Sequence, residues 1–270
     1  MLLGYRSRCT PTARRRRTGG FRAAAGAYDW AAMSAAASLA AGVVATLFCV
    51  DLVRRYRASP SPHTAAYAAG IGFFALATWA LFVGTTTGWT SASYRTFFLF
   101  GAIVNIPVLA LGSMFLVVGR RAGHIMLLLM FPFFAIALPT TLAQPFDAGG
   151  LPPGGVPSAR DLWADVFGPR LWSIIGGRLG GTIIILLALV SLVRFLRKNP
   201  RLVWGNLAIV AGTLAAATGG TILAQGADWG FAASLLVSVT LIWAGYRIAS
   251  GARRAGPASA EGGAQSVRRE

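Results

Sequence analysis

The spacing of apolar residues constrains this chain most, because they come in seven blocks of about 20 residues. A helix of that length crosses the ~30 Å hydrocarbon layer of a bilayer, and it satisfies its backbone hydrogen bonds within one segment, as lipid demands. The blocks lie at 31–52, 64–84, 96–118, 122–144, 171–193, 202–224 and 227–247. We therefore predict an all-α fold, a polytopic bundle of seven transmembrane helices.

The charge of the chain agrees with this class. Charged residues make up 12% of the sequence, about half of the ~25% typical of soluble domains. The net charge of +17 could suggest a nucleic-acid partner, but the arginines cluster at the ends of the apolar blocks, where they orient membrane proteins. Of 25 basic residues, all but Lys198 are arginine, which is typical of a GC-rich genome. We predict a multi-pass protein of a bacterial plasma membrane, without nucleic acid as a partner.

The distribution of basic residues predicts the orientation. Fourteen basic residues follow the first, third, fifth and seventh blocks, whereas the opposite side carries only Arg95, Arg160 and Arg170. The positive-inside rule then places the N-terminus outside and the C-terminus in the cytoplasm. Residues 1–28 oppose this rule with seven arginines. We expect residues 1–32 to be dispensable, with translation starting at Met33; a targeting segment is the alternative.

The remaining boundaries follow from composition. Residues 33–250 form the transmembrane domain, and residues 251–270 read as a disordered, basic cytoplasmic tail. The linker at 145–170 is rich in Pro and Gly and is the only long loop. Within it, Leu162, Trp163, Val166 and Phe167 share one face at helical spacing. This pattern predicts a short helix on the outer membrane surface; a lid over an external cavity is the alternative.

The sequence also suggests an internal repeat. Residues 42–93 align without a gap to residues 182–233, and after a seven-residue deletion the third helix of each copy aligns as well. The informative matches are Arg54/Arg194, Arg57/Arg197, Pro60/Pro200, Thr78/Thr218, Trp89/Trp229, Gly112/Gly245, Arg120/Arg253 and Arg121/Arg254. We predict that residues 33–121 recur as 171–254, with helix 122–144 as connector, in a parallel 3+1+3 repeat. Shared patterning of apolar helices without duplication is the alternative.

This 3+1+3 arrangement resembles the SWEET sugar transporters and the wider PQ-loop group over about residues 33–254. The resemblance implies a transporter that binds its ligand between the two repeats. The motifs differ, because the first and fifth spans contain no proline and no Pro-Gln dipeptide occurs. Residues 88–111 also resemble uncharacterised seven-helix membrane proteins of bacteria, which implies no activity.

The sequence lacks the residues that several kinds of chemistry require. A retinal Schiff base needs a lysine in the last helix, and Lys198 lies in a loop. His63 and His124 lie near the cytoplasmic ends of spans, and the only cysteines are Cys9 and Cys49, so no membrane-embedded haem, metal site or disulfide framework is indicated. GxSxG, HExxH and paired intramembrane carboxylates do not occur. We predict no cofactor, no metal and no catalytic residue, and nothing indicates an enzyme.

The main candidate for ligand binding is Asn105, in the middle of the third span. It lies two residues before Pro107, which should kink the helix and free a carbonyl. The repeat alignment matches Asn105 with Ser238 in the seventh span, and we expect the two to face each other across the repeat axis. In SWEET-type transporters, residues at similar positions hold the sugar. The alternative is that Asn105 only joins helices by a hydrogen bond.

Other polar residues complete the candidate set. Thr78 and Thr218 are repeat-matched hydroxyls, to which Trp79 and Gln225 could add a stacking ring and an amide; bonding to their own helix backbone is the alternative for the threonines. Arg178 lies inside the fifth span, where it either binds an anionic ligand or extends to the headgroups. Its partners would be that ligand or the loop acids Asp147, Asp161, Asp165 and Asp228. Asp51 is interpreted as an end-of-helix ion pair, and Trp89, Tyr94, Trp172 and Trp229 as an outer aromatic belt.

Two hypotheses of function follow. The first is a small-solute transporter or carrier, and the alternative is a non-transporting sensor, receptor or accessory protein. The partners would be the lipid bilayer and a small or anionic solute; no sequence feature indicates an oligomeric state. A polar site at mid-membrane between the repeats would favour transport, whereas a cavity open only outward above Arg178 would favour sensing.

Overall fold

The computed structural model describes residues 17–145, 149, 151, 155–163, 165–195 and 200–254. In this part of the chain the regular structure is helical, and seven helices are long and apolar enough to cross a membrane. They are α1 (Arg17–Ala58), α2 (Pro62–Thr87), α3 (Ser91–Val117), α4 (Arg120–Ala143), α5 (Pro169–Phe195), α6 (Pro200–Ala224) and α7 (Asp228–Arg254). The predicted seven-helix class is confirmed, and the chain is a multi-pass membrane protein.

Local signals set several helix boundaries. Proline is the first residue of α2, α5 and α6, a position where its missing N–H costs nothing and its fixed φ suits the helix. The turn before α3 contains Gly88 at φ +92°, a conformation that glycine adopts without strain. Thr90 then caps α3 by accepting a hydrogen bond from the backbone N–H of Ser93, whose hydroxyl accepts one from Thr90 in return.

Six of the long helices pack in a closed ring. Around it, α1 contacts α2, α2 contacts α3, α3 contacts α5, α5 contacts α6, α6 contacts α7, and α7 returns to α1. Helix α4 lies outside this ring and packs mainly on α3. We call the end of the bundle that carries the loop residues 155–163 the loop end, and the opposite end, where α7 finishes, the tail end.

Helix α3 is irregular at its centre. Residues Leu99–Val104 form a π-helical turn, and a regular α-helix resumes at Asn105. Pro107 has no N–H for the carbonyl of Ile103, and the oxygen of this carbonyl lies beside Gly176 of α5. A Cβ on Gly176 would lie 2.8 Å from this carbonyl oxygen, and a Cβ on Gly180 would lie 3.0 Å from the nitrogen of Pro107. Glycine at both positions therefore lets α5 contact the irregular part of α3.

A second close contact joins α6 and α7. Gly205 and Gly212 lie seven residues apart on the side of α6 that faces α7. A Cβ on Gly205 would lie 2.9 Å from the carbonyl oxygen of Gly245, and one on Gly212 would lie 2.8 Å from that of Ser238. Such small residues allow membrane helices to approach closely, and they place Ser238 against α6.

The prediction of a surface helix in the long loop is wrong. The structure has one helical turn, Ala159–Leu162, whose Leu162 side chain is buried together with Trp163. Val166 and Phe167 lie beyond this turn and are exposed. The reason is that Trp163 packs between helix side chains of the loop end, which bury more of its ring than a membrane surface would.

The termini fall largely outside the described residues. Residues 1–16 and 255–270, which include much of the predicted N-terminal and C-terminal tails, are among those that the structure does not describe. Helix α1 begins at Arg17, inside the segment that was expected to be dispensable. Trp30 of this helix stacks on Trp229 at the start of α7, with ring centroids 5.6 Å apart.

Candidate functional site

Three of the candidate residues are buried inside the helical bundle. Asn105 is 4% exposed, Ser238 2% and Thr78 1%. On α3, Gly101 and Leu109 lie one helical turn before and after Asn105, and both contact α2. Asn105 therefore lies on the α2 side of α3, in the same way that Ser238 lies on the α6 side of α7. The expectation that Asn105 and Ser238 face each other is not met, because each lies toward the preceding helix of its own half of the bundle. The described residues contain no hydrogen bond between the two.

The side chain of Asn105 carries an unsatisfied polar atom. Its Oδ1 is buried and has no hydrogen-bond partner among the residues that the structure describes. Leaving such an acceptor unpaired costs about 1–3 kcal/mol. Thr78 behaves differently, because its hydroxyl donates to the carbonyl oxygens of Phe74 at 3.0 Å and Ala75 at 2.9 Å in its own helix. The hydroxyl of Thr78 is thus satisfied, whereas Asn105 has a buried acceptor without a partner among the described residues.

An aromatic cluster closes the loop end of the bundle. Phe97 of α3 meets Phe231 of α7 with ring centroids 6.1 Å apart. Trp163 of the loop packs on Phe98 at 4.9 Å and on Tyr94 at 5.5 Å. We call this set the loop-end aromatic cluster; it consists of Trp89, Tyr94, Phe97, Phe98, Trp163 and Phe231.

A second aromatic cluster lies at the tail end. Phe48 of α1 stacks on Trp243 of α7 at 5.9 Å, and Tyr67 of α2 meets Tyr246 of α7 edge-on at 6.3 Å. We call Phe48, Tyr67, Trp243 and Tyr246 the tail-end aromatic cluster. These contacts join α7 to both α1 and α2.

The buried polar residues lie midway between the two clusters. Asn105 follows Phe97 by eight residues, and Ser238 follows Phe231 by seven and precedes Tyr246 by eight. At 1.5 Å per residue, each of these separations is about 10–12 Å along the helix. Asn105 and Ser238 therefore lie at one depth, with an aromatic layer on either side.

Charged residues border the tail-end cluster. Asp51 of α1 pairs with Arg55 at 3.1 Å and with Arg247 of α7 at 3.4 Å, and it accepts a hydrogen bond from the indole N–H of Trp243 at 3.3 Å. Arg55 also donates to the hydroxyl of Ser250 at 3.0 Å. The predicted ion pair of Asp51 is confirmed, and one of its partners lies on the last helix rather than on α1.

The long loop is attached to the helices at the loop end. The indole N–H of Trp89 donates to the carbonyl oxygen of Gly155 at 2.6 Å. The backbone N–H of Val156 donates to Oδ2 of Asp228, the first residue of α7, at 3.1 Å. Arg170 donates to the carbonyl oxygen of Trp163 at 3.3 Å. The loop thus bonds to the turn between α2 and α3 and to α7.

The other predicted site residues lie elsewhere. Trp79 donates its indole N–H to Thr46 of α1 at 3.1 Å. Thr218 and Gln225 are exposed, and the hydroxyl of Thr218 donates to its own helix at 2.9 Å. Arg178 is exposed on α5 and forms no ion pair with a described residue. Of its expected partners, Asp147 and the side chain of Asp161 lie outside the described residues.

A groove of about 670 Å³ lies along α4, away from the buried polar residues. It is lined by apolar side chains such as Leu128, Phe131 and Phe134, with His124 at one end. Because α4 lies outside the ring, lipid tails would cover this face in a bilayer.

The aromatic clusters were missed by sequence reasoning. Trp89 and Tyr94 were assigned to a lipid-facing belt, which is wrong because both are buried. The density of aromatic residues between 89 and 100 was the available signal, since a belt needs only one or two rings per helix end. Their partners Trp163 and Phe231 are distant in sequence and carry no such signal.

Comparison with known proteins identifies no relative of this chain, so inferences about function depend on the geometry of the helical bundle. No protein-family model matches the chain, and no curated protein or solved structure is significantly similar to it.

Proposed function

We propose that this protein is a carrier for small, uncharged solutes, which bind at mid-membrane beside Asn105, on the side of α3 that faces α2, and which reach this site from a passage between the helical units α1–α3 and α5–α7. The observation that carries the proposal is the unpaired Oδ1 of Asn105, buried between two aromatic layers. A solute O–H or N–H would donate a hydrogen bond to this oxygen, which would offset the cost of burying it.

The helix contacts support two equivalent units. The α1–α2, α2–α3 and α3–α5 contacts correspond in order to the α5–α6, α6–α7 and α7–α1 contacts. A two-fold axis along the membrane normal would exchange these pairs and leave α4 as the connector. This correspondence supports the parallel 3+1+3 repeat, with the passage along the axis between the units.

Residue contacts support the pairing of Asn105 with Ser238. A glycine lies seven residues after each of them, and at this glycine the helix packs on the helix before it in the chain. Gly112 of α3 contacts Tyr67 of α2, and Gly245 of α7 contacts Gly205 of α6. The second helices correspond less well to the sequence alignment, since Thr78 is buried whereas Thr218 is exposed. We therefore place Asn105, Ser238 and Thr78 at the site, and leave Thr218 out.

The charges near the site favour an uncharged solute. Asp51 is engaged by two arginines, and Arg178 lies on an exposed part of α5. A charged solute at the depth of Asn105 would find no opposite charge beside it among the described residues, and an unpaired charge in the membrane is costly.

The two aromatic clusters would act as barriers on either side of the site. In the present conformation α3 and α7 meet at the loop end, and α1, α2 and α7 meet at the tail end. Rocking of one unit against the other would separate these contacts alternately. We place the loop end outside a bacterial cell, in accord with the distribution of basic residues.

The test is solute permeation into liposomes that contain the purified protein. Light scattering after rapid mixing with glycerol, ribitol or urea should show faster permeation than into protein-free liposomes, and Asn105→Leu should abolish the difference. Asn206→Leu is the matched control, because Asn206 is also an intramembrane amide but donates to Ser191 at 2.9 Å. Equal permeation in the Asn105 variant and the unmodified protein would exclude this site, and permeation no faster than into protein-free liposomes would favour the sensor hypothesis.

A further inference from the structure

We propose that the segment Gly155–Trp163 is a gate over the outer mouth of the passage, and that Trp89 and Asp228 are positioning residues that hold it closed. The function of this gate rests on the proposed carrier activity, but whether the segment is closed can be measured without transport.

The first argument is where the segment is attached. Trp89 lies in the turn between α2 and α3, and its indole N–H binds the carbonyl oxygen of Gly155. Asp228 begins α7 and accepts from the N–H of the next residue, Val156. Two adjacent loop residues are therefore bonded to opposite units. Trp89 also packs on Phe97, whose ring meets Phe231 of the other unit.

The second argument is how deeply the segment is inserted. Trp163 is 1% exposed and packs on Tyr94 and Phe98, and Leu162 beside it is also buried. Removal of these side chains would uncover Tyr94 and Phe98 of α3 at the loop end. The segment therefore closes the loop end by filling it, in addition to lying across it.

The third argument is that position 155, where the segment contacts Asp228, accepts only glycine. Gly155 adopts φ +88°, and a Cβ at this position would overlap Oδ2 of Asp228. Any other residue at position 155 would meet both a strained backbone and the carboxylate that holds Val156.

These attachments couple the gate to motion of the units. If the units separate at the loop end, Trp89 and Asp228 move apart, and the adjacent residues Gly155 and Val156 cannot follow both. At least one of the two hydrogen bonds must break. Trp163 packs on α3 and accepts a hydrogen bond from Arg170 of α5, so the same separation would also break one of its attachments. The gate therefore opens when the units rock outward and closes when they return.

The experiment measures labelling by a membrane-impermeant maleimide in intact cells. Cys9 and Cys49 are replaced by serine, and Val156→Cys reports on the buried segment. It should label slowly, whereas Phe167→Cys, at a residue 89% exposed, should label fast in every background. Gly155→Ala should raise the labelling rate of the reporter about tenfold, the effect of losing one hydrogen bond of the closed state.

Matched variants separate the loss of the contact between position 155 and Asp228 from the general effect of backbone strain. Gly226→Ala imposes a similar backbone strain, because Gly226 has φ +80°, but its Cβ would meet no atom within 4 Å. It should leave the labelling of Val156→Cys slow. Asp228→Ala should accelerate labelling, and Asp228→Asn, which keeps an acceptor oxygen, should restore the slow rate.

The outcomes distinguish the gate from the carrier. Slow labelling of Val156→Cys in the Asn105→Leu background, together with lost permeation, supports both proposals. If labelling follows the expected order but neither the unmodified protein nor any variant conducts solutes, the gate is supported and the carrier activity is contradicted. Labelling of Val156→Cys as fast as Phe167→Cys, or equal rates for Gly155→Ala and Gly226→Ala, would overturn the gate.

Discussion

Asp51 of α1 and Arg247 of α7 form an ion pair at 3.4 Å that joins the first transmembrane helix to the last. The pair lies beside the stacked rings of Phe48 and Trp243, which join the same two helices. Closure of the helix ring at the tail end therefore combines a polar contact with an aromatic one.

Asp51→Ala should weaken this closure. Arg247 and the indole N–H of Trp243 would lose their acceptor, and since the Asp51 side chain is partly exposed we expect a loss of about 1–2 kcal/mol in unfolding free energy. Thermal unfolding in detergent should show a melting temperature several degrees lower. Arg57→Ala, at an exposed residue near the end of the same helix, is the control and should leave it unchanged.

Adjacent glycines of α5 should respond oppositely to substitution. The Cβ of a leucine at position 180 would lie 3.0 Å from Cγ2 of Ile106 and from the nitrogen of Pro107, both on α3. The Cβ of a leucine at position 181 would have no atom within 4 Å. Gly180→Leu should therefore destabilise the protein by about 1–3 kcal/mol through overpacking, and Gly181→Leu should be neutral or slightly stabilising because leucine is a better helix former. Equal melting temperatures for the two variants would contradict the packing of α5 on α3.

The unpaired Oδ1 of Asn105 gives a prediction for stability as well as for permeation. Asn105→Leu removes a buried acceptor that has no partner among the described residues, so this variant should be as stable as the unmodified protein or more stable. Asn206→Leu breaks a hydrogen bond to Ser191 and should cost about 1 kcal/mol. Chemical unfolding of both variants in the same detergent checks this. A large loss of stability in the Asn105 variant would indicate that this residue joins helices instead.

The orientation of the chain can be tested with single cysteines. The positive-inside rule predicts that Phe167→Cys labels with an impermeant maleimide in intact cells. Ser59→Cys, exposed between α1 and α2, should label only after the membrane is permeabilised. The reverse pattern would invert the bundle, and with it the assignment of the loop end to the outside.

The sequence by itself determined the number of spans and most of their limits to within about three residues, although α1 and α7 extend further than predicted. Block 202–224, for example, became helix α6 (Pro200–Ala224). This works because each membrane helix satisfies its own backbone hydrogen bonds, so that length and apolarity decide it locally. Pro107 likewise marked the irregular centre of α3, since the loss of its N–H is a local property.

Only the tertiary structure decided which side of each helix faces the protein. Gly180 and Gly181 are adjacent and of the same residue type, yet Gly180 packs on α3, whereas a Cβ on Gly181 would meet no atom within 4 Å. Thr78 and Thr218 match in the alignment, yet one is buried and the other exposed. The contacts of Trp163 with α3 and of Asp228 with Val156 join residues more than 60 positions apart. Lipid and protein interior are both apolar, so hydrophobic periodicity does not distinguish the two environments, and close packing between helices makes that choice.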